Sequence, residues 1–355
     1  MKITVSKTII ENILSSATPF LEKKDTSQIT SHIYLNAQNS ILTIKATDHE
    51  IGFLVTTNQV NIQEEGTITA NGKKFLDIVR ILKDGDINLE ILNNTLHISQ
   101  NNSNFKLPTF AYNEFPEFPS YEGKPKITIE SHKLISSLKK ITPAIDTNNP
   151  KFELNGALID IKKEKISFAS TDTKRLAVIE LENSSQQELS LIIPKKAIVE
   201  IQKLFFEDIE LYYDETYLII NSKQYTFFTK LTNGKYPEYQ RIIPKEVNHT
   251  LILSKQLIIE SIKQITTVSN NVKICFNPNS IVFEALSDDN IEAKTEVAFT
   301  TNFQEPFTIA VNSKYILDFI NNIDSTEFEI GLNQENLPFI LKNNNFITVI
   351  MPIVL

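Results

Sequence analysis

The five histidines, His32, His49, His97, His132 and His249, could hold a metal or relay protons, but none has the spacing for it. No two stand four apart on a helical face, and none lies in an HExxH or CxxC frame. The single cysteine, Cys275, has no second thiol to pair with, which fits a reducing compartment. Gly66 to Lys74 superficially resembles a phosphate loop. Five residues separate Gly66 from Gly72, where a Walker A loop has four, and Lys74 stands where a magnesium-binding hydroxyl is needed. A turn leading into a helix is the plainer reading. Neither GxSxG nor GxGxxG occurs. Asp and Glu number 43, but their order along the chain pairs none of them, so nothing points to acid–base catalysis. No cofactor, no metal and no enzymatic activity are expected.

The elements that would position any site are repetitive. ITVSKTIIENIL from Ile3, ITIESHKLISSL from Ile127 and LILSKQLIIESI from Leu251 start 124 residues apart both times. Each reads as a short strand running into an amphipathic helix. Ile10 and Leu14, Leu134 and Leu138, and Ile258 and Ile262 recur at spacing four on one face. Ser6 and Ser254 suit the N-cap, and Glu130 suits the positive helix end. A hydroxyl–Asp pair follows as Thr47-Asp48, Thr171-Asp172 and Ser287-Asp288, which is turn chemistry between alternating strands. It stands 45 residues after the start in the first two copies and 37 in the third. The third copy has therefore lost about eight residues, expected near Asn270–Ile274. A second helix, NGKKFLDIVRIL from Asn71, PKKAIVEIQKLF from Pro194 and NSKYILDFINNI from Asn312, begins 22 to 24 residues after that pair. Boundaries are expected in FPEFPSYEGKP and IIPKEVNH, giving domains 1–121, 122–245 and 246–355.

The formal net charge is −8, which on its face argues against a simple nucleic-acid binder. Its distribution says more. The six helical segments together carry +9, which leaves −17 for the rest. Two readings fit: a DNA-facing surface built from helices, or the ordinary lysine-rich solvent face of surface helices. No apolar run reaches the roughly 18 residues of a membrane span. The start, MKITVSK, has no apolar signal region, so a cytoplasmic location is expected.

Local strings carry a resemblance over the whole length. They are ATDHE at 46–50, NGKKFLDIVRIL at 71–82, FPEFP at 115–119, LNGALID at 154–160, STDTKRLAV at 170–178, IIPKKAIVEI at 192–201, GKYPEYQRIIP at 234–244, VNSKYILDFI at 311–320 and VIMPIVL at 349–355. With the three copies, they make the chain similar to the bacterial DNA polymerase III β subunit family, the sliding clamps. The resemblance implies an α+β fold of three repeated clamp-type domains, with helices on one face of antiparallel sheets. These close into a ring as a head-to-tail dimer. It implies a clamp that encircles duplex DNA without sequence preference. That clamp tethers the replicative polymerase α subunit and serves the clamp loader and other proteins with a clamp-binding motif.

The resemblance also implies residues. For DNA contact these are Lys24, Lys73, Lys195 and Lys196, with Asn148 and Lys151 on the loop before LNG. For a partner-peptide groove they begin with Leu154 and with Thr171, Thr173, Lys174, Arg175 and Leu176. Pro237, Arg241 and Ile242, then Asn312 and Tyr315, continue the set, and the C-terminal Val349, Met351, Pro352, Ile353, Val354 and Leu355 complete it. Physically this is an apolar pocket with an arginine rim, suited to a short motif with Leu and Phe anchors. The bland alternative makes MPIVL a final edge strand. Phe105 and Leu107 of one subunit are expected against Thr267 and Val268 of the other.

This chain departs from the family pattern in several places. Thr173-Lys174 replaces Gly-His, Val354 replaces a basic penultimate residue, and Thr267 is unusually polar. Glu153 follows the retained Phe152, and TSQIT at 26–30 replaces TLPIL. Two other readings are an interaction protein on the same fold that does not encircle DNA, and an enzyme with an unrecognised carboxylate site.

Overall fold

The computed structural model describes residues 1–25, 27–183, 185, 187–286 and 292–354. Ser287-Asp288 and Thr26 therefore lie outside the described residues. Among the described residues there are six α-helices: α1 (Lys7–Ala17), α2 (Gly72–Ile81), α3 (Ser131–Ile141), α4 (Lys195–Leu204), α5 (Lys255–Ile265) and α6 (Ser313–Ile320). Each but α3 follows a strand without a gap, and α3 follows Lys126–Ile127 after three residues. Side chains cap several of them. Ser6 accepts from the Ile9 N–H, Asn71 from Lys74 and Asn312 from Lys314. Ser254 sits at the N-cap of α5 but makes no side-chain cap bond.

The first two copies stop their leading helix alike. Thr18 and Thr142 each donate their hydroxyl to the carbonyl four residues back, Leu14 and Leu138, and a proline follows. Proline cannot continue the helical ladder, and a long loop results. After α5 stand Thr266 and Thr267 with no proline, and the next strand, Asn271–Phe276, begins almost at once. The shortening thus falls at 266–270, slightly before the expected place. Helix propagation simply gives way to strand pairing there.

The chain packs as two compact bodies that divide the middle copy between them, residues 1–132 with 199–231, and 133–198 with 232–355. The first body has a five-stranded antiparallel sheet in the order Asn61–Glu64, Lys2–Ser6, Asp86–Leu92, Thr95–Gln100, Ser103–Pro108. Its eight-stranded sheet takes four strands from each neighbouring copy, joined where Tyr225–Lys230 pairs with Ile51–Thr57. Gly52 is required at that seam. A Cβ on it would stand 2.0 Å from the Phe228 ring, which packs against the bare backbone. Phe20, Phe53, Phe75, Phe205 and Phe227 fill the interior, with Phe20 stacked on Phe53 at 5.3 Å. The connector FPEFP is pinned rather than loose: Phe115 packs on Tyr34, and Phe118 meets Phe228 edge-on at 4.9 Å.

The second body repeats the plan. Its eight-stranded sheet joins middle and last copies where Arg175–Glu182 pairs with Phe346–Ile350. A four-stranded sheet runs Lys294–Ala298, Ser280–Ala285, Asn271–Phe276, Phe307–Asn312. Among the described residues no helix is long and apolar enough to cross a membrane.

Candidate functional site

Thr171 and Asp172 build a turn that places the residues after them. The Thr171 hydroxyl donates to the Arg175 carbonyl at 2.6 Å and accepts from the Thr173 N–H at 3.1 Å. The Asp172 carboxylate accepts from the Lys174 and Arg175 N–H groups. Thr47 and Asp48 make the same four bonds with Ile51, His49 and Glu50. The residue after each pair has positive φ, 73° at His49 and 70° at Thr173. A β-branched side chain is strained in that region.

Beyond the turn, strand alternation sends successive side chains to opposite faces. Arg175 goes to the helix side. Its Nε donates to Asp172 at 3.1 Å, one terminal nitrogen to Asp318 at 2.7 Å and the other to the Pro143 carbonyl. The guanidinium also lies 4.5 Å from the centre of the Tyr315 ring. Its side chain is 5% exposed, so Arg175 is not a rim group as the sequence suggested but a buried strut bonded through each of its three nitrogens. Alternation is the reason.

Leu176 goes to the other face, paired with Val349 across the seam. With Leu154, Ile192, Tyr236, Tyr239 and Ile340 these form one buried apolar cluster, and Ile243 and Val247 of the second connector pack against it. Burial pushes the Tyr236 hydroxyl pKa up and keeps it neutral. Around this floor Ile242 is 45% and Met351 41% exposed. Pro237 is half-buried, its carbonyl accepting from the Tyr239 N–H. Arg241 is exposed and paired with Glu238 at 2.6 Å. Thr173 and Lys174 are exposed.

The C-terminal residues do not form an edge strand. Phe346–Ile350 lies inside its sheet, between Arg175–Glu182 and Phe339–Asn343. The tail then leaves the ladder: the Met351 N–H donates to the Lys174 carbonyl and the Ile353 N–H to the Ala310 carbonyl. Pro352 and Ile353 are half-buried and Val354 is exposed; Leu355 lies outside the described residues. Asn312 caps α6 and Tyr315 lies under Arg175, so these two stand on the helix side, away from the cluster.

The candidate DNA residues differ in availability. In the first body Lys24 and Lys73 are exposed. In the second, Lys196, Asn148 and Lys151 are exposed, whereas Lys195 is half-buried. The Lys195 ammonium donates to the Ile145 carbonyl at 2.6 Å. Burial first, then the Arg175 charge, holds its pKa below the usual lysine range. Asp146 organises the loop carrying Asn148, accepting from the Thr147 N–H and the Asn149 amide. Of the candidate dimer residues, Phe105 is half-buried and Leu107 buried on the edge strand Ser103–Pro108 of the first body. In the second body Thr267 is exposed and Val268 half-buried, just past α5.

Comparison with known proteins accounts for the whole chain. Residues 1–119, 128–238 and 240–354 match the N-terminal, central and C-terminal domain models of the DNA polymerase III beta subunit. The chain belongs to the beta sliding clamp family. It is 39% identical to the beta sliding clamp of Helicobacter pylori strain 26695 over the full length of both. It is 27% identical to that of Buchnera aphidicola from Rhopalosiphum padi, over 97% of this chain and 96% of the other. A crystal structure of the H. pylori beta clamp bound to a DNA ligase peptide superposes with a TM-score of 0.93, covering both chains completely at 39% identity. The Pseudomonas aeruginosa beta subunit, at 23% identity and a TM-score of 0.91, shares the fold. Sliding clamps are non-enzymatic processivity factors of DNA replication, and this clamp carries their three-domain antiparallel plan. Sequence reasoning missed the partners that make its buried strut, Asp172 and Asp318, and the floor residues Ile192, Tyr236, Tyr239 and Ile340. The YPEY string was visible and marked the two tyrosines, and IIPKKAIVEI begins at Ile192; Ile340 carries no local signal.

Proposed function

We propose that two copies of this chain close head to tail around duplex DNA and slide along it, in the bacterial cytoplasm, as domains 1–121, 122–245 and 246–355. Among the sheet edges of each copy are Ser103–Pro108 in the first body and Lys294–Ala298 in the second, which differ in sequence. Pairing unlike edges is a heterologous contact, which closes into a ring when the rotation allows. Lys106 on one edge and Glu296 on the other supply opposite charge; Phe105 and Leu107 lie on the first edge, and Thr267 and Val268 follow α5, which packs against the second. Lys24, Lys73, Lys196, Asn148 and Lys151 would meet the phosphate backbone, with Lys195 a weaker partner. Such contacts are salt-sensitive and carry little base information, so the ring holds without stopping.

The apolar cluster under Leu154, Leu176 and Val349, with Thr171, Pro237, Arg241, Ile242 and the tail around it, is proposed as the groove for partner peptides. The observation that carries this is one buried floor assembled from the middle copy, the connector and the last strand. A ligase peptide is bound by the H. pylori relative, and the polymerase α subunit and clamp loader are the partners proposed here. Tethering raises a partner's effective concentration at its substrate. The test is retention on DNA. Circular DNA should hold the protein through a salt wash, and cutting the circle should release it. Equal retention on circular and linear DNA would show that the ring is not closed.

A further inference from the structure

Three asparagines of the chain stand directly before a glycine: Asn71, Asn155 and Asn233. Such a pair can modify itself. The glycine amide nitrogen attacks the asparagine side-chain carbonyl, ammonia leaves, and water opens the succinimide to aspartate or isoaspartate. Glycine favours the step because no Cβ obstructs its nitrogen. The fold treats the three pairs differently. The Asn71 side chain accepts from the Lys74 N–H at 3.0 Å where α2 begins, and Gly72 is buried. The Asn155 side chain accepts from the Asn149 N–H at 2.8 Å and donates to the Asn149 carbonyl at 2.9 Å. Gly156 is buried in a strand, paired with Pro194. Asn233 and Gly234 are both exposed, and among the described residues neither has a hydrogen-bond partner. Gly234 runs along Glu153: a Cβ on it would stand 3.8 Å from the Glu153 Cβ and 3.9 Å from a carboxylate oxygen.

We infer that Asn233 is a self-modification site, deamidating in the folded protein ahead of Asn71 and Asn155, and that the carboxylate it gains weakens the hold on DNA. The second half rests on the DNA reading above. Glu153 lies two residues past Lys151, on the loop proposed to meet phosphate, and Lys235 is exposed just after Gly234. A new carboxylate here competes with phosphate for both ammonium groups. All these groups are in or near solvent, so the effect is modest and fades with salt.

The test ages the full-length protein in mildly alkaline buffer and follows each Asn-Gly step by peptide mapping. Asn233 should convert at least about tenfold faster than Asn71 or Asn155, because the other two must first open locally. In urea the three should convert at similar rates. Asn233→Asp should bind duplex DNA about two- to threefold more weakly at low salt, the difference closing as salt rises. Asn233→Gln, whose longer side chain disfavours ring closure, should age without that loss. Conversion at Asn71 or Asn155 as fast as at Asn233 in the folded protein overturns the inference, as does an Asn233 that stays intact. Equal DNA affinity of Asn233→Asp and the unaltered protein overturns its second half and leaves the DNA reading standing. Failure of both proteins to bind DNA overturns the DNA reading itself and the charge effect with it.

Discussion

Arg175 reaches Asp318 at 2.7 Å across 143 residues of sequence, tying the start of the seam strand in the middle copy to the last helix of the third. The same guanidinium holds Asp172 and the Pro143 carbonyl. One side chain therefore fixes together the turn, the start of the segment after α3, and α6. Removing it takes the bonded cation from both carboxylates. Arg175→Ala should cost about 2–3 kcal/mol, less than a wholly buried pair because each aspartate is partly solvated. Urea unfolding would show a lower midpoint at unchanged slope; a loss under about 0.5 kcal/mol would contradict the strut.

Thr173 holds φ at 70°, where a β-branched residue is strained. Thr173→Gly should raise stability by about 0.5–1 kcal/mol, since relief of strain exceeds the entropy glycine adds to the unfolded chain. Thermal unfolding would show it. A lower midpoint would mean that the threonine side chain makes a contact worth more than its strain.

His32 is 4% exposed, stacked 4.2 Å from Phe110, and burial pulls its pKa down to about 4 from an ordinary 6.5. The fold thus keeps it neutral while the unfolded chain would protonate it. The stability this provides is complete above about pH 6.5 and is lost as the pH falls toward 4. Unfolding measured across that window should weaken by about 2–3 kcal/mol. His32→Asn, which can keep the bond to Thr69, should flatten the curve; an unchanged slope would assign the loss to other groups.

The tail bonds of Met351 and Ile353 predict a graded response to truncation. Removing 354–355 should change peptide affinity little. Removing 351–355 takes away the Met351 wall and the bond to Lys174, and should weaken anchored peptides at least about tenfold while the oligomer stays intact. Fluorescence titration of a labelled peptide, beside solution mass, separates the two. Equal affinity for both truncations would move the groove elsewhere.

Lysine exposure predicts unequal effects on DNA. Lys73→Ala should lower the slope of log affinity against log salt by roughly one, as loss of one phosphate contact does. Lys195→Ala should lower it less, because the Lys195 ammonium already bonds the Ile145 carbonyl. A larger effect at Lys195 than at Lys73 would reverse that order.

The repeat was legible because it is local. Strand-then-helix strings, caps such as Asn71 and Asn312, and the hydroxyl–Asp turn all depend on residues within a few positions of each other. The seams were not legible. Nothing near Tyr225 announces that its strand will pair with Ile51–Thr57, because periodicity reports which face is apolar and not what covers it. The groove set shows the same division. Leu176, Val349 and Leu154 read as apolar and converge. Arg175 read as a rim charge, and only strand alternation together with the distant Asp318 turns it inward.

The seam between Arg175–Glu182 and Phe346–Ile350 has a consequence for how the chain is made. The ribosome finishes the first strand long before it begins the second. At about 5–20 residues per second the interval is roughly 10–30 s. Throughout it, Leu176, Ala177, Val178 and Ile179, all buried in the finished protein, line an open hydrogen-bonding edge. Open apolar edges template association with other chains. The hazard for this protein therefore lies on the polysome, where neighbouring nascent chains carry the same unfinished sheet, and it ends when the last strand is released.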